Sequence, residues 1–213
     1  MALLNEEIVK NVREMLSDLP ENVTLTVFTD DEHCDYCEQI VQLVNEVAAT
    51  SDKVAVELNE IHRDADRASA LGIRRAPVIA IIGKRDYGLR FYGIPSGYEF
   101  STLLHGIQTV SRGDSDLEDR VKSYLTGLTK PVNLQVFVTP TCPYCPRAAV
   151  LAMEMALQSD LVTADVIESA EFPDLANKYN VMGVPLNVIN ETERIEGAAP
   201  PQMVVEAIRR AVA

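Results

Sequence analysis

The sequence contains an internal repeat, and this repeat limits the folds open to the chain more than any other feature. A Cys-x-x-Cys motif occurs once in each half, as Cys34 and Cys37 and as Cys142 and Cys145. The motifs are 108 residues apart, and a proline, Pro77 or Pro185, follows the first cysteine of each by 43 residues. All 4 cysteines of the chain lie in these motifs. The matched spacing predicts two copies of one module, each of about 100 residues.

Hydrophobic periodicity predicts the same order of elements in both halves. A helix precedes a β-rich stretch, the Cys-x-x-Cys motif opens a second helix, and a strand and a short helix lead to the proline. Two strands and a closing helix follow, which gives α-β-α-β-α-β-β-α twice. We place the boundary in the polar stretch 111–115, so that the domains span residues 1–112 and 113–213. This short connection predicts that the two domains pack together.

Charge and hydropathy argue against several classes of function. The formal net charge of −13 disfavours nucleic acid and anionic membranes as partners, because like charges repel. No apolar run approaches the ~18 residues of a membrane span, and the N-terminus lacks the pattern of a signal peptide. We therefore expect a cytoplasmic location. In that reducing compartment, Cys-x-x-Cys motifs indicate redox chemistry or metal binding rather than structural disulfides.

The place of the dithiol at the first strand-to-helix turn, with a proline before the third strand, resembles the thioredoxin fold. The chain as a whole resembles the two-domain protein disulfide oxidoreductases, also called glutaredoxin-like, of thermophilic bacteria and archaea. Residues 91–100 and 179–185 support this, and the motif at Cys142 has the Cys-Pro-Tyr-Cys sequence typical of glutaredoxins. The resemblance implies an α/β fold of two tandem thioredoxin-like domains, each a central mixed β-sheet flanked by helices.

The resemblance also implies catalytic roles for the four cysteines. Cys34 and Cys142 would attack, because the free N–H groups and positive dipole at a helix N-terminus stabilise a thiolate. Cys37 and Cys145 would resolve the mixed disulfide that results. The protein would then use its redox-active disulfides Cys34–Cys37 and Cys142–Cys145, with no further cofactor and no metal.

Two further implications concern the prolines and the partners. The Ala76–Pro77 and Val184–Pro185 bonds should be cis and should lie against the dithiols, where they would bind the substrate backbone. Disulfide-containing proteins are the implied substrates, with reduction the most fitting reaction in the cytosol and oxidation or isomerisation still open. Since the sequence has no nucleotide-binding glycine motif, we expect a thioredoxin-reductase-like flavoprotein as the electron donor.

The residues that flank the two dithiols differ in charge. The first is surrounded by carboxylates and a histidine, namely Asp30, Asp31, Glu32, His33, Asp35 and Glu38. The second is followed by Arg147 and has no carboxylate beside it. Negative charge disfavours a thiolate and a cation favours it, so we expect Cys142 to have the lower pKa. An imidazolium at His33 would offset part of this difference in pKa. If the acidic residues form only a solvated loop, their charges would not change the pKa of Cys34.

A glutamate is also repeated. Glu60 and Glu168 are 108 residues apart, and each precedes its proline by 17 residues. They are candidates for a proton relay to the resolving cysteines. Exposed carboxylates in a loop are the more common explanation for such residues, and we prefer it here.

Two other functions stay open on the sequence. The four cysteines could form a Cys₄ zinc site, but zinc ribbons place their pairs ~15–20 residues apart, whereas 104 residues intervene here. The chain could also shuttle electrons to a peroxidase, like the paired thioredoxin folds at the start of some bacterial flavin reductases. Those generally keep only one dithiol, which argues against this function.

Overall fold

A computed structural model describes residues 2–32 and 34–213, and both halves have the predicted order of elements. The first half comprises α1 (Glu6–Met15), β1 (Val23–Thr29), α2 (Cys37–Ala48), β2 (Val54–Glu60), α3 (Ala65–Ala70), β3 (Val78–Ile82), β4 (Asp86–Tyr92) and α4 (Glu99–Arg112). The second comprises α5 (Asp119–Thr126), β5 (Val132–Val138), α6 (Cys145–Leu157), β6 (Val162–Glu168), α7 (Pro173–Lys178), β7 (Leu186–Ile189), β8 (Glu193–Glu196) and α8 (Pro201–Ala211). None of these helices is long and apolar enough to cross a membrane. The boundary at residues 112 and 113, which follows the last residue of α4, stays a prediction.

The strands of both halves join in one sheet of eight strands, in the order β2-β1-β3-β4-β6-β5-β7-β8. Within each half, the first two strands are parallel and the last two are antiparallel. The halves meet where β4 pairs in parallel with β6, from Leu89 opposite Ala164 to Tyr92 opposite Ile167. The prediction that the domains pack together is confirmed, and the contact includes main-chain hydrogen bonding between them.

The two faces of this sheet are covered unequally. On one face, α2, α4, α6 and α8 contribute side chains to the larger apolar core, with Ile40, Ile107 and Ala149 fully buried. The other face carries a smaller core beneath the short helices α3 and α7, with Phe28 and Phe137 fully buried. The two dithiol helices α2 and α6 therefore lie on the same face as the closing helices.

The helices α4 and α6 pack across the boundary between the halves. Gly106 lies against α6, since a Cβ atom there would be 3.3 Å from the Sδ atom of Met153. Before α4 begins, the backbone N–H of Tyr98 donates a hydrogen bond to the Pro140 carbonyl oxygen at 2.9 Å. The two helices thus start near one another and run side by side from the same edge of the sheet.

Candidate active sites

Both Cys-x-x-Cys motifs lie between the end of a strand and the start of a helix. The first site (Cys34 and Cys37) follows β1 and opens α2, and the second site (Cys142 and Cys145) follows β5 and opens α6. The strand pairings make β1 and β5 parallel, so both sites lie at the same edge of the sheet. Four strand spacings of ~4.8 Å separate β1 from β5, so the strands that lead into the two sites are about 19 Å apart.

Each pair of cysteines is closed as a disulfide, with a Cα–Cα distance of 5.5 Å in both. A Cys₄ zinc site needs all four sulfur atoms around one ion at ~2.3 Å, and the distance between the sites does not allow it. The Cys₄ alternative is therefore wrong. The sites also differ in burial, because Cys142 and Cys145 are 8% and 0% exposed whereas Cys34 and Cys37 are half-buried.

The peptide bonds Ala76–Pro77 and Val184–Pro185 are both cis, which confirms that expectation. The two proline carbonyls accept equivalent hydrogen bonds, from Gly93 N–H at 3.0 Å and from Gly197 N–H at 2.8 Å. At the second site, the Cys142 sulfur lies 3.7 Å from the Val184 carbonyl oxygen. The role of these two residue pairs in binding a substrate stays a prediction.

The repeated glutamates are buried, so the preferred explanation as exposed loop carboxylates is wrong. Glu60 and Glu168 end strands β2 and β6 and are 6% and 4% exposed. Glu60 accepts backbone hydrogen bonds from His62 at 3.0 Å and from Arg63 at 2.6 Å. Glu168 accepts one from Glu171 at 2.7 Å. Both carboxylates thus stabilise the turn that follows their strand, and proton transfer by them stays a prediction.

A buried carboxyl group that the sequence did not reveal lies at the start of α4, next to Tyr98, which is hydrogen-bonded to Pro140 in the loop before Cys142. Glu99 is the first residue of α4 and is 1% exposed, and neither of its oxygens has a hydrogen-bond partner among the described residues. Burial raises the pKa of Glu99 to about 7, and the nearby Thr102 hydroxyl acts in the opposite direction. Glu99 precedes Gly106 by seven residues, two helical turns, and so shares its α6-facing side.

The start of α6 lies near the start of α4. Tyr98 is bonded to Pro140 at this end of the helix pair, and Cys145 begins α6 with no exposed surface. Further along the pair, His105 Nε2 is 3.5 Å from Glu154 Oε1, about two turns from Glu99. One feature of the sequence pointed to Glu99. It is a charged residue that precedes Leu103 by four positions and Gly106 by seven, which places it on the apolar side of the predicted helix.

All the acidic residues around the first site except the half-buried Asp30 are exposed, and the predicted difference in pKa between Cys34 and Cys142 stays a prediction. Asp35 and Glu38 are exposed beside the half-buried Cys34, and Arg147 is exposed beside Cys142. His33 lies outside the described residues, so the structure gives no view of its effect. Burial of Cys142 opposes its ionisation, whereas the free N–H groups at the start of α6 favour the thiolate.

We expect Cys142 to be alkylated about tenfold faster than Cys34 at pH 6, a difference of about 1.4 kcal/mol. The measurement uses iodoacetamide on reduced variants that keep only one cysteine, with serine at the other three positions. Salt at 1 M should shrink the difference, because exposed carboxylates are screened over a few ångströms at that ionic strength. Equal rates at low salt, or a faster Cys34, would contradict the prediction.

Comparison with known proteins agrees with this geometry. A family model described as a thioredoxin domain matches residues 132–209. The thioredoxin of Methanocaldococcus jannaschii is 36% identical over 80 residues, which is 94% of that protein and 37% of this chain. A protein disulfide oxidoreductase from Aeropyrum pernix K1 superposes with a TM-score of 0.92 and 28% identity, over 98% of this chain and 93% of that chain.

Longer proteins are also similar to the chain. An alkyl hydroperoxide reductase from Staphylococcus epidermidis (strain ATCC 12228 / FDA PCI 1200) is 23% identical over 183 residues, which is 86% of this chain and 33% of that protein. The chain spans about a third of the length of the first curated relatives that it matches. The likeness therefore concerns one part of those proteins.

Proposed function

The chain belongs to the thioredoxin family, and from this premise we propose that it is a protein disulfide oxidoreductase with two sites for dithiol–disulfide exchange. One observation carries the proposal: each half holds a closed Cys-x-x-Cys disulfide at a helix N-terminus, with a cis-proline in the matching position. The substrates are proteins with disulfide bonds, and reduction is the main direction.

The reduction proceeds in two exchanges at each site. In the second site, the Cys142 thiolate attacks one sulfur of the substrate disulfide, and the other substrate sulfur leaves as a thiolate that takes up a proton. Cys145 then loses its proton and attacks the Cys142 sulfur, which releases the second substrate thiol. Two electrons have passed to the substrate, and the protein is left with the Cys142–Cys145 disulfide. The first site would use Cys34 and Cys37 in the same way.

The resolving step at the second site needs a base for a thiol without solvent contact, and we assign this task to Glu99. Its carboxyl group is buried in the first turn of α4, on the side of that helix that faces α6, and has no hydrogen-bond partner in the described part of the chain. With a pKa of about 7, it exists in both protonation states near neutral pH, which suits a group that takes and returns a proton.

The electron donor and the location follow from the same proposal. Without a nucleotide-binding motif, the chain would receive electrons from a thioredoxin-reductase-like flavoprotein through a second thiol–disulfide exchange. The cytoplasm provides the reducing conditions under which such a cycle runs towards reduction. The net charge of −13 makes nucleic acid and anionic membranes poor partners.

A second candidate function is supply of electrons to a peroxidase. The observation in its favour is the similarity to the staphylococcal alkyl hydroperoxide reductase, which covers 86% of this chain. Two intact dithiols favour the first function, because a shuttle needs only one. The two functions separate in an assay that offers the reduced protein a peroxidase disulfide and an unfolded protein disulfide at equal concentration.

Insulin reduction by dithiothreitol and oxidative refolding of a reduced protein test the main proposal. Wild type should accelerate both reactions, and a variant with all four cysteines replaced by serine should match the uncatalysed rate. The variants Cys34→Ser and Cys142→Ser then assign the activity to each site. A wild-type protein without effect on either reaction would refute the proposal.

A further inference from the structure

The second site has an apolar rim. Among the described residues, the two most exposed large hydrophobic side chains are Met182 at 86% and Tyr144 at 71%. Tyr144 lies between the two cysteines of the site, and Met182 lies three residues before the cis-proline Pro185. Single exposed apolar residues are common on protein surfaces. Here one lies within the Cys-x-x-Cys motif and the other lies two residues before Val184, whose carbonyl oxygen is 3.7 Å from the Cys142 sulfur, so the two form a candidate contact surface.

The first site has a charged rim in the same places. In the register of the repeat, Arg74 corresponds to Met182 and Arg75 to Gly183, and both arginines are exposed. Tyr36 corresponds to Tyr144 but is only 44% exposed. On the dithiol side of the first site lie the exposed carboxylates already described. The repeat thus keeps the reactive groups and changes the side chains that a substrate would meet.

The backbone between the two apolar side chains is open to an extended partner. Val184 precedes the cis-proline and is half-buried, and its N–H group makes no hydrogen bond among the described residues. Its carbonyl oxygen faces the Cys142 sulfur at 3.7 Å. An extended peptide that pairs with this backbone would place its cysteine at the sulfur and its neighbouring side chains against the rim.

We propose that the second site selects extended protein segments whose disulfide cysteine has apolar neighbours, and that Met182 and Tyr144 make the selective contacts. This inference rests on the proposed function and names its substrate class. Burial of apolar surface from both partners supplies the preference, and the unbranched methionine side chain adapts to different neighbours. The first site lacks this preference because an apolar segment would have to desolvate arginines and carboxylates there.

The test uses full-length variants with one working site and two disulfide-linked peptides of equal length. Leucine and phenylalanine flank the cysteine in one peptide, and serine and glutamine flank it in the other. With the second site alone (Cys34→Ser and Cys37→Ser), the apolar peptide should have an about tenfold higher kcat/KM. Met182→Arg should remove most of this preference. The reciprocal Arg74→Met, with the first site alone, should raise the preference for the apolar peptide at least threefold.

Leu58→Arg is the matched control, because Leu58 is 52% exposed on the edge strand β2, far from the second site. It should keep the tenfold preference. Equal kcat/KM for the two peptides at the second site, an unchanged preference in Met182→Arg, or an equal loss in Leu58→Arg would overturn the inference. Hydroxyethyl disulfide, which has no side chains, serves as the third substrate. Failure to reduce all three substrates would refute the proposed function, and the inference would fall with it.

Discussion

Replacing Glu99 with glutamine is expected to stabilise the oxidised protein by ~3 kcal/mol at pH 8 and by almost nothing at pH 4. The folded-state pKa of about 7 lies above the ordinary value of 4.5, because burial disfavours the charged carboxylate. The folded state therefore binds more protons between these two values, and its stability falls as the pH rises through that window. The difference corresponds to ~3 kcal/mol above pH 7. Glutamine has the same shape and no charge, so it removes this penalty.

Urea unfolding of wild type and Glu99→Gln at pH 4 and pH 8 measures the effect. Comparison at each pH cancels the contribution of all other carboxyl groups. Glu14→Gln is the control, because the Glu14 side chain is 67% exposed and its replacement should change stability by at most ~0.5 kcal/mol at either pH. A Glu99→Gln variant that is no more stable than wild type at pH 8 would show that the carboxylate is not desolvated.

The same variant tests the proposed role in catalysis. With the second site alone, Glu99→Gln should lower the rate of resolution at pH 7 by about 100-fold, the ordinary range for loss of a general base. The rise of this rate around pH 7 should disappear as well. A variant that is stabilised at pH 8 but keeps the wild-type rate and pH profile would leave Glu99 buried without a catalytic role.

Replacing Gly97 with alanine is expected to destabilise the protein by ~3 kcal/mol or more and to slow the second site. Gly97 has φ +57°, a left-handed conformation that costs an L-residue ~1–2 kcal/mol. A Cβ atom there would also collide with the backbone carbonyl of Pro140, two residues before Cys142. That carbonyl accepts the hydrogen bond from Tyr98, so relief of the collision would move the loop that leads into the second site.

The Gly72→Ala variant separates the cost of the left-handed backbone conformation from the cost of the collision with Pro140. Gly72 has φ +67°, but a Cβ atom there would meet nothing within 4 Å. This control should lose only the ~1–2 kcal/mol of the backbone conformation and should keep the alkylation rate of Cys142. Equal losses in thermal or urea unfolding for the two alanine variants would show that the contact with Pro140 does not matter.

The sequence was sufficient for features that lie within one repeat. The dithiols, their helices and the cis-prolines Pro77 and Pro185 follow from two copies that agree in spacing, because agreement between copies makes a chance pattern improbable. The prediction for Glu60 and Glu168 had weaker support, because the spacing shows that a residue recurs but not whether it is buried in a turn. Their burial depends on the backbone N–H groups that point back at the strand end.

The features between the repeats were not predictable in this way. Each copy describes its own strands, so nothing in the pattern indicates that β4 pairs with β6 or that Tyr98 bonds to Pro140. Glu99 belongs to the first half in sequence, and its helix begins beside the loop that leads into the second site. Its helix packs against α6, and a hydrophobic pattern read along one helix does not report the neighbour across a domain boundary.

The shared edge of the continuous sheet has a consequence for electron storage. Sulfur exchange requires contact between sulfur atoms, and the dithiols follow strands β1 and β5, which lie about 19 Å apart in one continuous sheet. Electrons therefore cannot pass from one dithiol to the other inside a single molecule. A fully reduced molecule holds four electrons, two in each dithiol. Each dithiol must be reduced and oxidised by its own encounter with a partner protein.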